Sequence, residues 1–417
     1  MVNFSFLLRH APALVLLALL GIPSPVIAQG IAIGGVGPVN LSMAGTATAC
    51  PIDSAGALYW NPATIGALPA SDVSIGFQLA LPSSELSSHM GPGALGGGMP
   101  PVDLAGSDRG ESGVAPIPTF AFVHNPDDSR WSYGLGLFGI GGFSANYPAS
   151  TTNPILTPQP PNGLGLGRLS AQLDILQIVP TASCRFTERL FVGFAPTVTL
   201  ARLIAHPAFF AAPDDANGDG FPTYPDATGT RLHWGAGFQA GIYYVAANDW
   251  HLGASIKSPQ WFESFRFKSE DELGGPRLLK FNFDYPMIIS VGAAYAGVDD
   301  LVVACDLRYL DYGNTKGFRS SGFDATGAVA GLGWNSIFAV STGVERRVND
   351  RLFLRLGYAF NENPISDSET AANVASALII QHWLSLGASY RMTESWMFSL
   401  TYVHGFENGI SGPLKTP

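Results

Sequence analysis

Asp215-Ala216-Asn217-Gly218-Asp219-Gly220 places side-chain oxygens at the first, third and fifth positions of a calcium-binding loop and a glycine at its sharp turn. The Phe221 carbonyl then falls at the seventh position and Asp226 at the twelfth, where such loops ordinarily carry a bidentate glutamate. The expected occupant is a structural calcium ion, and the alternative is an acidic turn in an outer loop. Asp306, Arg308, Glu345 and Arg355 are opposite charges in otherwise apolar stretches. They can pair with one another, the default for buried opposite charges, or hold the head group of a ligand. Asn61-Pro62-Ala63, eight residues after Asp53, is a turn former whose asparagine can hydrogen-bond nearby backbone. No Gly-x-Ser-x-Gly elbow, His-Glu-x-x-His pair or phosphate loop is present. Cys50, Cys184 and Cys305 are too widely spaced for a metal site or a disulfide framework. The sequence therefore reads as that of a non-enzyme.

The elements that must position these residues are strands. Only 13% of the 417 residues are charged, too few for an ordinary soluble protein. Past the first thirty residues no run of 18 apolar residues occurs, which excludes a helical membrane protein. Instead, segments of about ten residues alternate apolar with small or polar side chains, the period of a strand with one face in lipid. They fall at 72–81, 115–124, 131–143, 173–186, 190–203, 232–245, 250–267, 280–296, 301–312, 335–348, 351–361, 378–391 and 396–404. Short connections alternate with long ones, as periplasmic turns alternate with extracellular loops in an outer-membrane barrel. The fold class is thus all-β: a transmembrane antiparallel β-barrel of about 13–14 strands. Thirteen is an odd count. A final strand is missing, or one is hidden around 164–180, or the first and last strands close in parallel.

The period of two assigns faces. Leu352, Leu354, Leu356, Tyr358 and Phe360 point to lipid, with Arg355, Gly357 and Ala359 inside; Val303, Cys305, Leu307 and Tyr309 point out, with Asp306 and Arg308 inside. The inner face is rich in Gly, Ser and Ala with few charges, Lys257 and Arg391 among them. The third segment carries Gly139, Gly141 and Gly142, which weaken a ladder and permit a bulge or kink.

Residues 1–28 read as a secretory signal peptide: Arg9 and His10, an apolar run, then Val26-Ile27-Ala28 as cleavage site. Residues 29–70 form no strand pattern, and their one carboxylate, Asp53, is unaccompanied by Lys or Arg. So uncharged a segment is no solvated linker. It is expected as a plug inside the barrel formed by residues 71–417. Phe209 and Phe210, among alanines, mark a greasy loop patch that either receives apolar molecules or caps the barrel mouth.

Gly34-Gly35 and Gly45, Asp53-Ser54-Ala55 leading to Asn61-Pro62-Ala63, Arg355-Leu356-Gly357-Tyr358 with Asn363-Pro364, and the late Tyr402-Val403-His404-Gly405-Phe406 together carry a resemblance. With them the mature chain resembles the long-chain fatty acid transporter family of the outer membrane (FadL/TodX type). The resemblance implies a fourteen-stranded barrel closed by an N-terminal hatch, with Asn61, Pro62 and Ala63 in the hatch. It further implies that Gly139, Gly141 and Gly142 mark an inward kink of the third strand that opens a lateral exit.

The expected function is passive uptake of hydrophobic compounds, long-chain fatty acids or hydrocarbons, across the cell outer membrane, without a cofactor beyond the possible calcium. The expected partners are those small molecules, outer-membrane lipids and the barrel-assembly machinery. A monomer is expected, and the net charge of −10 argues against nucleic acid. The rival readings are an outer-membrane lipid-modifying enzyme and a structural or adhesive barrel.

Overall fold

The computed structural model describes residues 28–94, 103–229 and 231–414. The signal peptide expected over 1–28 lies, but for Ala28, outside the described residues.

The N-terminal segment is not without strands, as its composition suggested. Ala28–Gln29 (β1) and Ala32–Ile33 (β2) form a two-residue antiparallel hairpin. Two short helices follow, Gly37–Ser42 (α1), with Pro38 in its first turn, and Ser54–Trp60 (α2), capped by the Asp53 carboxylate accepting from Gly56 N–H. A 3-10 turn, Pro62–Ala67, is capped the same way by Asn61, whose side-chain oxygen accepts from Ala63 N–H. Nearly every residue from Gln29 to Ile65 is buried.

The wall follows. Asp72–Ala80 (β3) is joined to Ala115–His124 (β6) through a loop that holds a hairpin of its own, Glu85–Met90 (β4) with Leu104–Arg109 (β5). Trp131–Tyr147 (β7), Leu169–Arg185 (β8), Leu190–His206 (β9), His233–Val245 (β10) and Trp250–Lys257 (β11) continue it. The single strands expected over 250–267 and 280–296 are each broken. Ser258-Pro259-Gln260 interrupts the first, Trp261–Phe262 (β12) returns to pair with β10, and Phe265–Glu270 (β13) with Pro276–Phe281 (β14) forms a separate hairpin above the wall. Proline donates no ladder hydrogen bond, so the break falls there. Ile288–Val298 (β15), Leu301–Leu310 (β16), Ile337–Arg347 (β17), Leu352–Asn361 (β18), His382–Arg391 (β19) and Met397–Gly405 (β20) complete the sheet.

Among the described residues thirteen strands (β3, β6 to β11 and β15 to β20) run in one antiparallel succession, so β3 and β20 point the same way. No ladder joins those two among the described residues; α1 of the plug lies against β3, β19 and β20, bridging the seam from inside. Outward faces are apolar, with Leu354, Leu356 and Tyr358 on β18 and Val303 and Leu307 on β16 exposed as the alternation predicts. On β3 the outward Ile75 is 78% exposed, as befits a lipid-facing edge.

Candidate functional site

The plug is held by a wall that has been hollowed out for it. An added Cβ at Gly193 would stand 2.2 Å from the Pro62 backbone, at Gly241 2.0 Å from the Asn61 side chain, and at Gly253 1.9 Å from the Thr48 carbonyl. Further round, one at Gly343 would stand 2.7 Å from Met43 O, at Gly357 2.4 Å from Ala44 N and at Gly387 2.3 Å from Ser42 Cβ. These glycines sit on six strands at inward positions, where only hydrogen lets the plug backbone close on the wall. The Gly-rich inner face seen in the sequence is thus a seat.

Asn61 joins plug to wall. Its Nδ2 donates to the Thr48 carbonyl at 2.7 Å and to the Ile242 carbonyl of β10 at 2.9 Å. Wall side chains return the contact: Gln239 donates to Tyr59 O, Ser255 to Trp60 O and Ser183 to Ala63 O. Pro62 and Ala63 are buried in the turn that follows.

The four lumenal charges form two separate pairs rather than one network. Asp306 Oδ2 accepts from Arg308 at 2.8 Å, from Ala47 N–H and Thr48 N–H at 3.0 and 3.1 Å, and from the Thr48 hydroxyl at 2.9 Å. Arg308 also donates to Gly45 O at 2.6 Å and lies 3.5 Å from the centre of the Trp60 ring. Arg355 meets Glu345 at 2.6 Å and donates to Ser389. The first pair therefore clamps plug residues 45–48 through Asp306 Oδ2 and the terminal nitrogens of Arg308, while Asp306 Oδ1 and Arg308 Nε are buried without a partner among the described residues. Lys257 is different: its ammonium sits 3.3 Å from the Tyr59 ring centre and 4.5 Å from that of Trp60, with no carboxylate partner among the described residues. Such cation–π contacts are worth about 2 kcal/mol when desolvated.

The glycine cluster of the third wall strand is where the ladder fails. The β7–β8 register shifts between Gly139 and Gly141, and Gly142 adopts a φ of 152° that a side chain would strain. On its other side β7 pairs with β6 only from Tyr133↔His124 to Phe138↔Thr119, although β6 starts at Ala115 and β7 runs to Tyr147. Above Phe138 the edge of β7 is taken by other groups. Ala32 of β2 pairs with Gly141, and Gly142 N–H donates to Ile31 O at 3.0 Å. Ile140 O accepts from the Tyr285 hydroxyl at 3.1 Å, and Asn146 O from Glu111 N–H at 2.7 Å. The N-terminal hairpin is itself held by tyrosines. Tyr312 O–H donates to Gln29 O and accepts from Ala32 N–H at 3.2 Å, and Tyr59 O–H donates to Ile33 O at 3.0 Å. None of these three tyrosines was singled out by sequence reasoning. Each acts on backbone far along the chain, and no local pattern announces that.

Residues 22–411 match the family described as Outer membrane protein transport protein (OMPP1/FadL/TodX). The chain belongs to that family. Solved structures agree in fold. The toluene transporter TbuX of Ralstonia pickettii is similar at a TM-score of 0.63 with 18% identity, over 90% of this chain and 99% of that one. The Pseudomonas putida toluene transporter TodX gives 0.64 and 17%, over 90% and 94%, and a Pseudomonas aeruginosa FadL homologue 0.63 and 14%, over 90% of each. No curated protein matches. This FadL/TodX-family chain is therefore an outer-membrane β-barrel transport protein with an N-terminal plug, and not an enzyme.

Two sequence readings that left alternatives open can be set beside the geometry of this family member. In the calcium-like loop, Asp215 and Asn217 oxygens accept from Gly220 and Asp219 N–H, Asp219 from Phe221 N–H, and Asp226 turns to His206 Nδ1 at 2.5 Å. Asp215, Asn217, Asp219 and Phe221 form an Asx-rich turn with Asp226 outside it, and no group of three or more His, Cys, Asp or Glu side chains converges among the described residues. Of the two readings of the Phe209–Phe210 patch, Phe210 fits the cap. Phe210 is half-buried against Phe267 and Phe281 at ring separations of 5.5 and 4.8 Å, part of an aromatic cap with Phe262, Phe265, Phe283 and Phe318.

Proposed function

We propose that this protein carries small hydrophobic molecules inward from the cell surface and releases them sideways into the membrane between β6 and β7. The reading rests on one observation: the β6–β7 ladder ends at Thr119↔Phe138, and the edge above it is met by the two-residue N-terminal hairpin and single side-chain and loop contacts rather than by a wall strand. A ladder in lipid is costly to leave open, since each unpaired backbone group there costs several kcal/mol. A gap stoppered by two-residue strands is therefore a place built to open. Downward passage is the poorer route. It would take an apolar molecule past the Asp306–Arg308 clamp to a recess of about 380 Å³ at the periplasmic mouth, lined by Asn125, Asp127, Arg185 and Glu188 among others. Entry through the aromatic cap suits hydrocarbons and fatty-acid tails alike, and the chemistry of the cap favours apolar over polar cargo.

Uptake tests this. Cells making the protein take up a labelled alkylbenzene or long-chain fatty acid faster than cells carrying an empty vector. Equal entry of both compounds in the two cell types would contradict the proposal.

A further inference from the structure

The β13–β14 hairpin has two unlike faces. Phe265, Phe267 and Leu279 are buried in the aromatic cap, which fixes the hairpin rigidly. The opposite face presents Arg266, Lys268 and Lys280, all exposed. Arg266 lies directly across the ladder from Lys280, and Lys268 across from Leu278. Like charges opposed on one sheet face repel, so this arrangement opposes stability unless something anionic covers it. No side-chain partner is present for any of the three among the described residues. The acids that flank β13 in sequence are engaged or at its end: Glu263 pairs with Arg231 at 3.5 Å and accepts from the Trp234 backbone N–H, while Glu270 closes the strand at the hairpin tip.

The height of this face on the barrel identifies its partner. The hairpin rises directly from β12, whose Trp261 pairs with Ala236 near the long-loop end of β10. Trp261 and Trp234 are 54% and 57% exposed on the outer surface, the position of an interfacial aromatic belt. Three cations immediately beyond that belt stand at the level of lipid headgroups, and the exposed Leu278 beside them offers an acyl contact. We propose that Arg266, Lys268 and Lys280 form a binding surface for the phosphates of an outer-leaflet lipid. Charge-assisted hydrogen bonds from Arg and Lys to phosphate supply the recognition, and the Trp pair sets the depth. The surface is separate from the plug and the β6–β7 gap, so it stands or falls independently of the transport route.

The test uses the full chain in neutral detergent, with a bisphosphorylated glycolipid, the same lipid stripped of phosphate, and inorganic phosphate as probes. Native mass spectrometry reads the retained lipid. The wild type retains the bisphosphorylated form, and the triple variant Arg266→Ser, Lys268→Ser, Lys280→Ser loses affinity on the order of a hundredfold. Lys268→Arg with Lys280→Arg retains it. Should the triple variant not fold, single Lys268→Ser and Lys280→Ser variants each lose affinity by roughly fivefold to tenfold. Equal retention by wild type and variants overturns the proposal. So does equal retention of the dephosphorylated lipid, or displacement by inorganic phosphate beyond that caused by sodium chloride of equal ionic strength.

Discussion

Tyr285 reaches across the lumen to donate its hydroxyl to the Ile140 carbonyl, 3.1 Å away, inside the bulge where β7 leaves β6. That bond satisfies a backbone oxygen that would otherwise belong to the β6–β7 ladder. Tyr285→Phe removes it while keeping the ring, at a cost of about 1 kcal/mol. The expected result is a rise in the open population, and in initial uptake rate, of about fivefold where opening limits transport. Initial rates of labelled substrate entry, normalised to folded protein in the membrane, check this.

Asp306 clamps plug to wall through Ala47, Thr48 and Arg308. Asp306→Ala leaves a buried guanidinium against Trp60 without its counter-ion, and breaking such a pair costs about 3–5 kcal/mol. The variant is expected to lose heat-resistant mobility in gels at a lower temperature than the wild type and to expose residues 45–48 to added protease.

The Asp53 carboxyl, in the plug rather than in a membrane-crossing strand, is pushed up to about 7 by burial, against the lowering effects of Gly56 N–H and the Arg355 charge. A carboxyl raised above its ordinary value favours the folded plug in its protonated form. That contribution is complete below about pH 4 and is lost as pH rises through about 7. Protease protection of the plug is therefore expected to be greater at pH 5 than at pH 8.5. Asp53→Asn, which keeps a capping oxygen, flattens the dependence.

The wall was legible because lipid enforces a strict alternation that water does not. Leu354, Leu356 and Tyr358 could be assigned outward from the period alone, and the thirteen strands recur, β7, β8 and β9 extending further into loops and those expected over 250–267 and 280–296 cut short. The β4–β5 hairpin escaped notice because Glu85–Met90 touches no lipid and carries no apolar contrast. The β13–β14 hairpin was merged into neighbouring strands because Phe265-Arg266-Phe267-Lys268 alternates as well as any wall strand. Of the site, Asn61, Asp306, Arg308 and the kink glycines stood out as residue types. What they hold did not, since Asn61 bonds to Ile242 181 residues away and Tyr312 to Gln29 283 residues away. Lys257 could be placed inside by parity, but its aromatic partners come from the plug.

The lateral gap itself is tested most directly by locking it. A Cβ built at Gly139 stands 3.8 Å from Ile117 Cβ, the spacing of a disulfide. In a chain whose Cys50, Cys184 and Cys305 are replaced by serine, Ile117→Cys with Gly139→Cys is expected to cross-link on oxidation. Substrate entry then falls to the empty-vector level and returns on reduction. Entry that continues unchanged through the oxidised, cross-linked barrel would contradict lateral release between β6 and β7.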